Sequence, residues 1–320
     1  YADPARTRFT AFGYSESDIK SLWISHLQRS IAESTAVLIL DQSGLVRGRL
    51  PKLQRGPGAD TELNDADCIT FDQVDAVKAV IQAATGQRRK PAILISDRGR
   101  GKSAALGIAA ARLLWHGRDR IVVTGPQRDT VTTLLDHAAR LLPEARRSQG
   151  LLRWRDSSIE FLAPDLINRR TVHDTMVMID EAAAMPLPFL TTFVKNCSRL
   201  ALATTVHGYE GSGRGFELRF GSLLSSHTRG ERRVTLTTPV RWAAEDPLEQ
   251  FIFRALMLDA GATTFVDRPL DLNSGFHTER LDRHTLVEDR NRLDQLFGLM
   301  VTSHYRTRPS DLRYLLDAPG

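Results

Sequence analysis

The chain has 320 residues, 42% of them hydrophobic and 25% charged, with 43 Lys+Arg against 38 Asp+Glu and a formal net charge of +5. That is room for about two domains, and the composition fits a globular protein rather than a disordered, collagen-like or membrane chain, since no window approaches ~18 uninterrupted apolar residues. Two cysteines in unrelated contexts, Cys68 and Cys197, form neither a disulfide framework nor a four-ligand zinc site, and they suit a reducing cytoplasm.

In chain order, residues 1–69 read as a separate lead-in without a signal-peptide pattern. This stretch holds a helix over Ser17–Ala32, a strand-like run Ala36–Leu40 and a Gly/Pro-rich linker, Arg55–Asp60. From Thr70 onward helices and short apolar runs alternate. The pattern predicts helices over Asp72–Ala84, Lys102–Trp115 and Asp129–Leu142. Strands are predicted at Ala92–Ser96, Arg120–Thr124, Ser158–Leu162, Thr175–Ile179 and Leu200–Thr205. Buried-looking strands separated by helices indicate an α/β fold with a parallel sheet covered on both faces. After Phe216 the pattern loosens into a strand-like Arg233–Thr238, a helix over Asp246–Leu258 and an Arg/Asp-rich helical end. The expected organisation is therefore 1–69, 70–240 and 241–320.

The strongest motif is the strand Ile93-Leu-Ile-Ser96 running into Asp97-Arg-Gly-Arg-Gly-Lys-Ser103 and then a helix. Backbone N–H groups of a tight loop and the positive end of a helix make an anion cradle, the layout of a P-loop NTPase. Lys102 would reach the β- and γ-phosphates of ATP or GTP, and the Ser103 hydroxyl would ligate Mg²⁺. Ser96 stands where the motif wants its first glycine, while Gly99 supplies an extra flexible point.

Further on, the apolar strand Thr175-Met-Val-Met-Ile179 ends in Asp180-Glu181. Asp180 would hold Mg²⁺ through water and Glu181 would polarise the attacking water, a pair that favours hydrolysis over transfer to a bound acceptor. A third element, Thr204-Thr205 leading into a loop with Gly208, Gly211, Gly213 and Gly215, offers γ-phosphate sensing and Arg214 as a phosphate contact. It reads equally as a flexible surface loop. Gln73 is placed to read an adenine edge, although the same segment reads as a helix start capped by Thr70 or Asp72. Arg140, Arg146, Arg147, Arg153 and Arg155, with Trp154 among them, read as a nucleic-acid patch or, more commonly, as a solvated turn between helix and strand.

The segments Arg98-Gly-Arg-Gly-Lys-Ser-Ala104, Ile179-Asp-Glu-Ala-Ala183, Thr204–Gly215, Pro239-Val-Arg-Trp-Ala243 and His304–Leu312 occur in an order that resembles the bacterial tRNA(Met) cytidine acetyltransferase family. The resemblance runs from about Arg8 to Pro319. It implies a RecA/RecD-like RNA helicase module of a longer enzyme that acetylates N4 of the wobble cytidine of elongator tRNA(Met). That enzyme uses acetyl-CoA and ATP or GTP hydrolysis. Carried over, the nucleotide residues are Gln73, Asp97, Arg98, Gly99, Arg100, Gly101, Lys102, Ser103, Ala104 and Ala105. The hydrolytic set is Lys102, Asp180 and Glu181, with Ser103 and Asp180 on Mg²⁺. Arg241 resembles the arginine that reaches the nucleotide from outside the first lobe, and Arg214 competes for that role. No Gln/Arg-x-x-Gly-x-Gly/Ala loop for acetyl-CoA is present, so the acetyltransferase domain is expected elsewhere, in cis or in trans. The resemblance further implies a cytoplasmic setting, a tRNA partner and no membrane. A nucleotide-dependent RNA-binding scaffold with little turnover is the alternative.

Overall fold

The computed structural model describes residues 21–35, 37–40, 43–44, 46–48, 63–167, 172, 174–205, 213–260, 278–303 and 309–318. The chain divides into a central unit, Leu53–Asp246, and a flanking unit made of Tyr1–Lys52 and Pro247–Gly320. The boundaries expected at 69/70 and 240/241 both fall inside the central unit.

The flanking unit begins with α1 (Leu22–Ala32), whose N-cap Ser21 accepts from the Ile24 N–H. A short exposed hairpin of β1 (Ile39–Leu40) and β2 (Val46–Arg47) follows.

The central unit carries α2 (Phe71–Thr85), β3 (Ala92–Ser96), α3 (Lys102–Trp115), β4 (Arg120–Thr124), α4 (Thr132–Leu141), β5 (Arg146–Ser148) and β6 (Leu151–Trp154). It continues with β7 (Ser157–Phe161), β8 (Met176–Ile179), α5 (Leu187–Asn196), β9 (Arg199–Thr205), α6 (Gly213–His227) and β10 (Arg232–Leu236). These strands form an eight-stranded sheet ordered β10-β3-β9-β8-β4-β7-β6-β5, parallel from β10 to β7 and antiparallel beyond.

Period-two alternation sorts the strand side chains into two cores. Leu94, Ile121, Val123, Met176, Met178, Ala201 and Ala203 join the cluster that holds α2, α3 and α4. Ile93, Ile95, Val122, Val177, Ile179, Leu200 and Leu202 pack on the other face with Leu190 and Phe193 of α5 and Leu224 of α6. Both faces are covered, which is why these strands read as continuous apolar runs.

Two local expectations change. The arginine-rich stretch expected to be a turn is the β5–β6 pair, because Leu152 and Trp154 alternate inward while Arg153 stays exposed. The glycine loop expected through Gly215 gives way to helix at Gly213. Its earlier part, including Gly208 and Gly211, lies outside the described residues.

The chain returns to the flanking unit as α7 (Pro247–Leu256), α8 (Arg283–Glu288), α9 (Arg290–Ser303) and α10 (Pro309–Asp317). Here Asp317 accepts from the Ser21 hydroxyl at 2.8 Å and the Trp23 N–H at 3.0 Å, and His26 Nε2 bonds the Ala255 carbonyl at 2.9 Å. No helix among the described residues is long and apolar enough to cross a membrane.

Candidate active site

At its C-terminal end β3 passes into a loop, Asp97–Gly101, and α3 begins at Lys102. Gly99 and Gly101 take left-handed φ values of +76° and +83°, a region that costs an L side chain free energy. Space closes both positions further. A Cβ at Gly99 would drive into the Trp242 indole, and one at Gly101 into the Gln73 amide.

The first turn of α3 has no side-chain cap, and the helical ladder starts with Ala105 N–H donating to the Gly101 carbonyl at 2.9 Å. Ala105 therefore leaves the set of N–H groups expected to cradle an anion, and Lys102, Ser103 and Ala104 carry the first-turn donors.

Lys102 is 8% exposed, and its ammonium donates to Ser96 Oγ at 2.8 Å, the Ser96 carbonyl at 3.1 Å and the Asp97 carbonyl at 3.0 Å. Burial pulls its pKa down to about 8, against the upward pull of Asp180, Asp97 and Glu181.

The second component stands two strands away. β9 separates β3 from β8, and Asp180 follows the last residue of β8. Asp180 is 1% exposed, and burial raises its pKa against the opposing pull of the Ser103 hydroxyl, the Glu181 N–H and Lys102. The Glu181 N–H donates to Asp180 Oδ1 at 3.0 Å, and Asp180 N–H to the Thr124 carbonyl at 2.9 Å. Glu181 itself holds a left-handed φ of +52°, a conformation that surrounding structure must enforce.

Among the described residues, four buried side-chain oxygens lack a hydrogen-bond partner, and three are Thr124 Oγ1, Asp180 Oδ2 and Thr204 Oγ1. All three sit at the C-terminal ends of β4, β8 and β9, beside the loop that follows β3. Buried polar atoms are rarely left unpaired, so their collection at one sheet edge marks a site built for a polar ligand. The donor set suits a hard cation held by few protein oxygens together with phosphate and water. Among the described residues no group of three or more His, Cys, Asp or Glu side chains is placed to hold a metal ion.

A strap after β10 holds the loop from outside. Val240 N–H donates to the Gly99 carbonyl at 2.8 Å, and Arg100 Nε donates to the Thr237 carbonyl at 3.3 Å. The Arg100 guanidinium also bonds the Arg98 carbonyl at 2.8 Å and lies 5.7 Å from the Trp242 ring centroid. Asp72, in the first turn of α2, ties the strap down by accepting from the N–H groups of Thr237 and Thr238 at 2.7 and 2.8 Å. Burial pushes the Asp72 carboxyl up, but these bonds outweigh it and leave the pKa below its ordinary value.

The expected residues thus divide by position. Lys102, Ser103, Asp180 and Glu181 converge on the sheet edge, and the backbone of Asp97–Gly101 forms the loop between them. The Arg100 side chain braces the loop, and Arg98 and Arg241 are exposed. Gln73 is 1% exposed, and its amide accepts from the Ile69 N–H at 2.8 Å and donates to the Gly101 carbonyl at 3.3 Å. In this structure it supports the loop from beneath, so the base-reading geometry is not presented. The Arg214 side chain lies outside the described residues. The segment Pro239–Ala243 stood out only through the family resemblance; its packing as a strap, with Trp242 against Gly99 and Val240 bonded to the Gly99 carbonyl, was not expected.

Residues 93–259 match the family model described as RNA cytidine acetyltransferase NAT10/TcmA, helicase domain. The match spans the loop, the Asp-Glu pair and the strap. The chain belongs to this family. A tRNA(Met) cytidine acetyltransferase TmcA of Nitrosococcus halophilus is 44% identical over the whole chain, which covers 43% of that protein. The TmcA proteins of Vibrio cholerae and Haloarcula marismortui are 41% and 38% identical over 75% and 80% of the chain, each covered for 34% of its length. The chain spans less than half the length of these curated relatives. Within the NAT10/TcmA family it corresponds to the helicase domain with its flanks, and the α/β sheet with its loop is that domain's core.

Proposed function

We propose that the chain is the ATP-hydrolysing, RNA helicase-like module of a tRNA(Met) cytidine acetyltransferase. The observation that carries this reading is the convergence of a glycine loop, a buried lysine and three unpaired buried oxygens on one sheet edge. Lys102 exchanges its bonds to Ser96 and Asp97 for bonds to the terminal phosphates of ATP or GTP, and the N–H groups of Lys102, Ser103 and Ala104 supply the remaining donors. Ser103 and Asp180 hold Mg²⁺, which supplies neutralisation of phosphate charge. Glu181 orients the attacking water and accepts its proton. Thr204 and Thr124 line the edge where the phosphates end. Arg241, beside the Val240–Gly99 bond, approaches the nucleotide from the strap.

In this reading hydrolysis positions the anticodon arm of elongator tRNA(Met) so that the target cytidine leaves its stack, as base-modifying enzymes require. Acetyl transfer from acetyl-CoA belongs to an acetyltransferase domain acting in cis or in trans. The test is phosphate release from ATP and GTP by the chain and by Lys102→Ala, with and without elongator tRNA(Met). Turnover lost in the variant and raised by that tRNA is the expected result. Tight nucleotide binding with no turnover under either condition overturns the motor and leaves a nucleotide-ordered RNA scaffold.

A further inference from the structure

Parallel strands have a second edge, opposite the loop, where their N-terminal ends lie, and arginine collects there. β10 begins with Arg232, β9 with Arg199 and β4 with Arg120. The segment Arg88-Arg89-Lys90 precedes β3, and it is knit into this edge by backbone bonds. Arg89 N–H donates to the Ser198 carbonyl at 2.7 Å, Arg229 N–H to the Arg89 carbonyl at 2.8 Å and Arg232 N–H to the Pro91 carbonyl at 2.9 Å.

The line continues into the antiparallel strands. Arg120 is level with Ser158 of β7, Ser158 with Arg153 of β6, and Arg153 with Arg146 of β5. Residues directly paired across strands share a face, so Arg153 and Arg146 stand side by side.

Some of this charge is matched internally. Arg88 pairs with Asp174 at 2.7 Å and Arg120 with Glu160. Arg118 and Arg199 bond carbonyls in the last turn of α2, those of Ala84 and Ala83 respectively. Arg146 and Arg153 are different. Both are exposed, neither has an acidic group within 4.0 Å among the described residues, and like charges directly opposite each other oppose folding. The Arg199 guanidinium is similarly disfavoured, first by burial and then by Arg118 and Arg88.

Two further features belong to this edge. A pocket of about 500 Å³ opens among Thr85, His116, Arg118, Arg120 and Asp174. At the tip of the β6–β7 hairpin, Arg155 holds a left-handed φ of +54° with its guanidinium 4.3 Å from the Trp154 ring and 5.4 Å from that of Trp115. Trp115 is 49% exposed, so Arg155 and Trp115 together present a cationic and aromatic tile to solvent.

We propose that this edge, opposite the nucleotide loop, is the surface on which the RNA phosphate backbone lies. Arginine forks bind phosphate bidentately, and an arginine–tryptophan tile suits an unpaired base, a feature an acidic protein surface would not need. The proposal rests on the RNA-acting reading above.

The test uses the full chain, a fluorescein-labelled elongator tRNA(Met) transcript and anisotropy over a salt series. Arg146→Gln/Arg153→Gln is compared with Lys78→Gln, an exposed charge on α2. The double variant should weaken binding about tenfold and reduce the slope of log K against log salt by about two, with Lys78→Gln near wild type. Wild type that binds tRNA, with the double variant equal to it in affinity and slope, overturns this edge alone. Wild type that binds no tRNA overturns the RNA-acting reading and the edge with it. Displacement of tRNA by poly-glutamate at matched charge makes the edge a general acidic-partner surface and overturns RNA as the occupant.

Discussion

Gly99→Ala tests how the phosphate loop is held. The native φ of +76° costs an alanine about 1–2 kcal/mol relative to its preferred regions. The new methyl also meets the Trp242 ring, and forcing extra volume into a packed contact adds roughly 1–3 kcal/mol. The single substitution should therefore destabilise the chain by about 2–5 kcal/mol. Trp242→Ala alone removes a partly buried ring and its contact with Arg100, at about 1–3 kcal/mol. In the double variant the steric part disappears and only the φ cost of Gly99→Ala remains, so the two changes should fall short of additivity by about 1–3 kcal/mol. Chemical denaturation of the four proteins, followed by far-UV circular dichroism, measures this coupling. Nucleotide affinity reads the loop conformation itself rather than global stability. It should be weakest in Gly99→Ala, where the methyl displaces the loop from the Trp242 ring, and partly restored in the double variant. Strict additivity would refute the claim that Trp242 closes the loop at Gly99.

Lys102 supplies a pH prediction with opposite signs for two observables. Its folded pKa of about 8 lies below the ordinary 10.5, so the unfolded chain binds more protons between those values and stability of the nucleotide-free chain rises with pH across that window, by about 3 kcal/mol in the limit. Nucleotide affinity should fall over the same window as the ammonium deprotonates, and Lys102→Met should flatten both slopes in denaturation and binding titrations. Asp180→Asn should lower turnover by a hundredfold or more while stabilising the nucleotide-free chain by about 1–2 kcal/mol, because it removes a buried charge with an unpaired oxygen. Since the Asp180 pKa is raised, its ionisation erodes stability as pH rises from the ordinary aspartate range, and the Asn variant should lose that erosion. Equal or lower stability of Asp180→Asn in a thermal melt would count against that account.

The central α/β core was legible in the amino-acid order because its signals are local. β3, its loop and α3 are contiguous, so Ile93–Ser96, the two glycines and Lys102-Ser103 declare strand, tight turn and helix within one stretch of chain. The same holds for Met176–Ile179 followed by Asp180-Glu181, where an apolar run buried on both faces ends in carboxylates. What the order of residues left open was decided by pairings distant along the chain. β9 inserts between β3 and β8, which sets Thr204 beside Asp180, and β10 pairs with β3, which lays Thr237–Trp242 across the loop. Gln73 illustrates the limit, since a glutamine at a helix start is equally suited to a base or to a carbonyl, and only the approach of Gly101 decides. Likewise Arg146 and Arg153 look like a solvated turn until antiparallel pairing sets them opposite each other. Motifs whose atoms are bonded within a few residues are written in the sequence. Sheet order, the strap and the arginine edge depend on which distant strands share hydrogen bonds, and burial of both sheet faces is what selects that pairing.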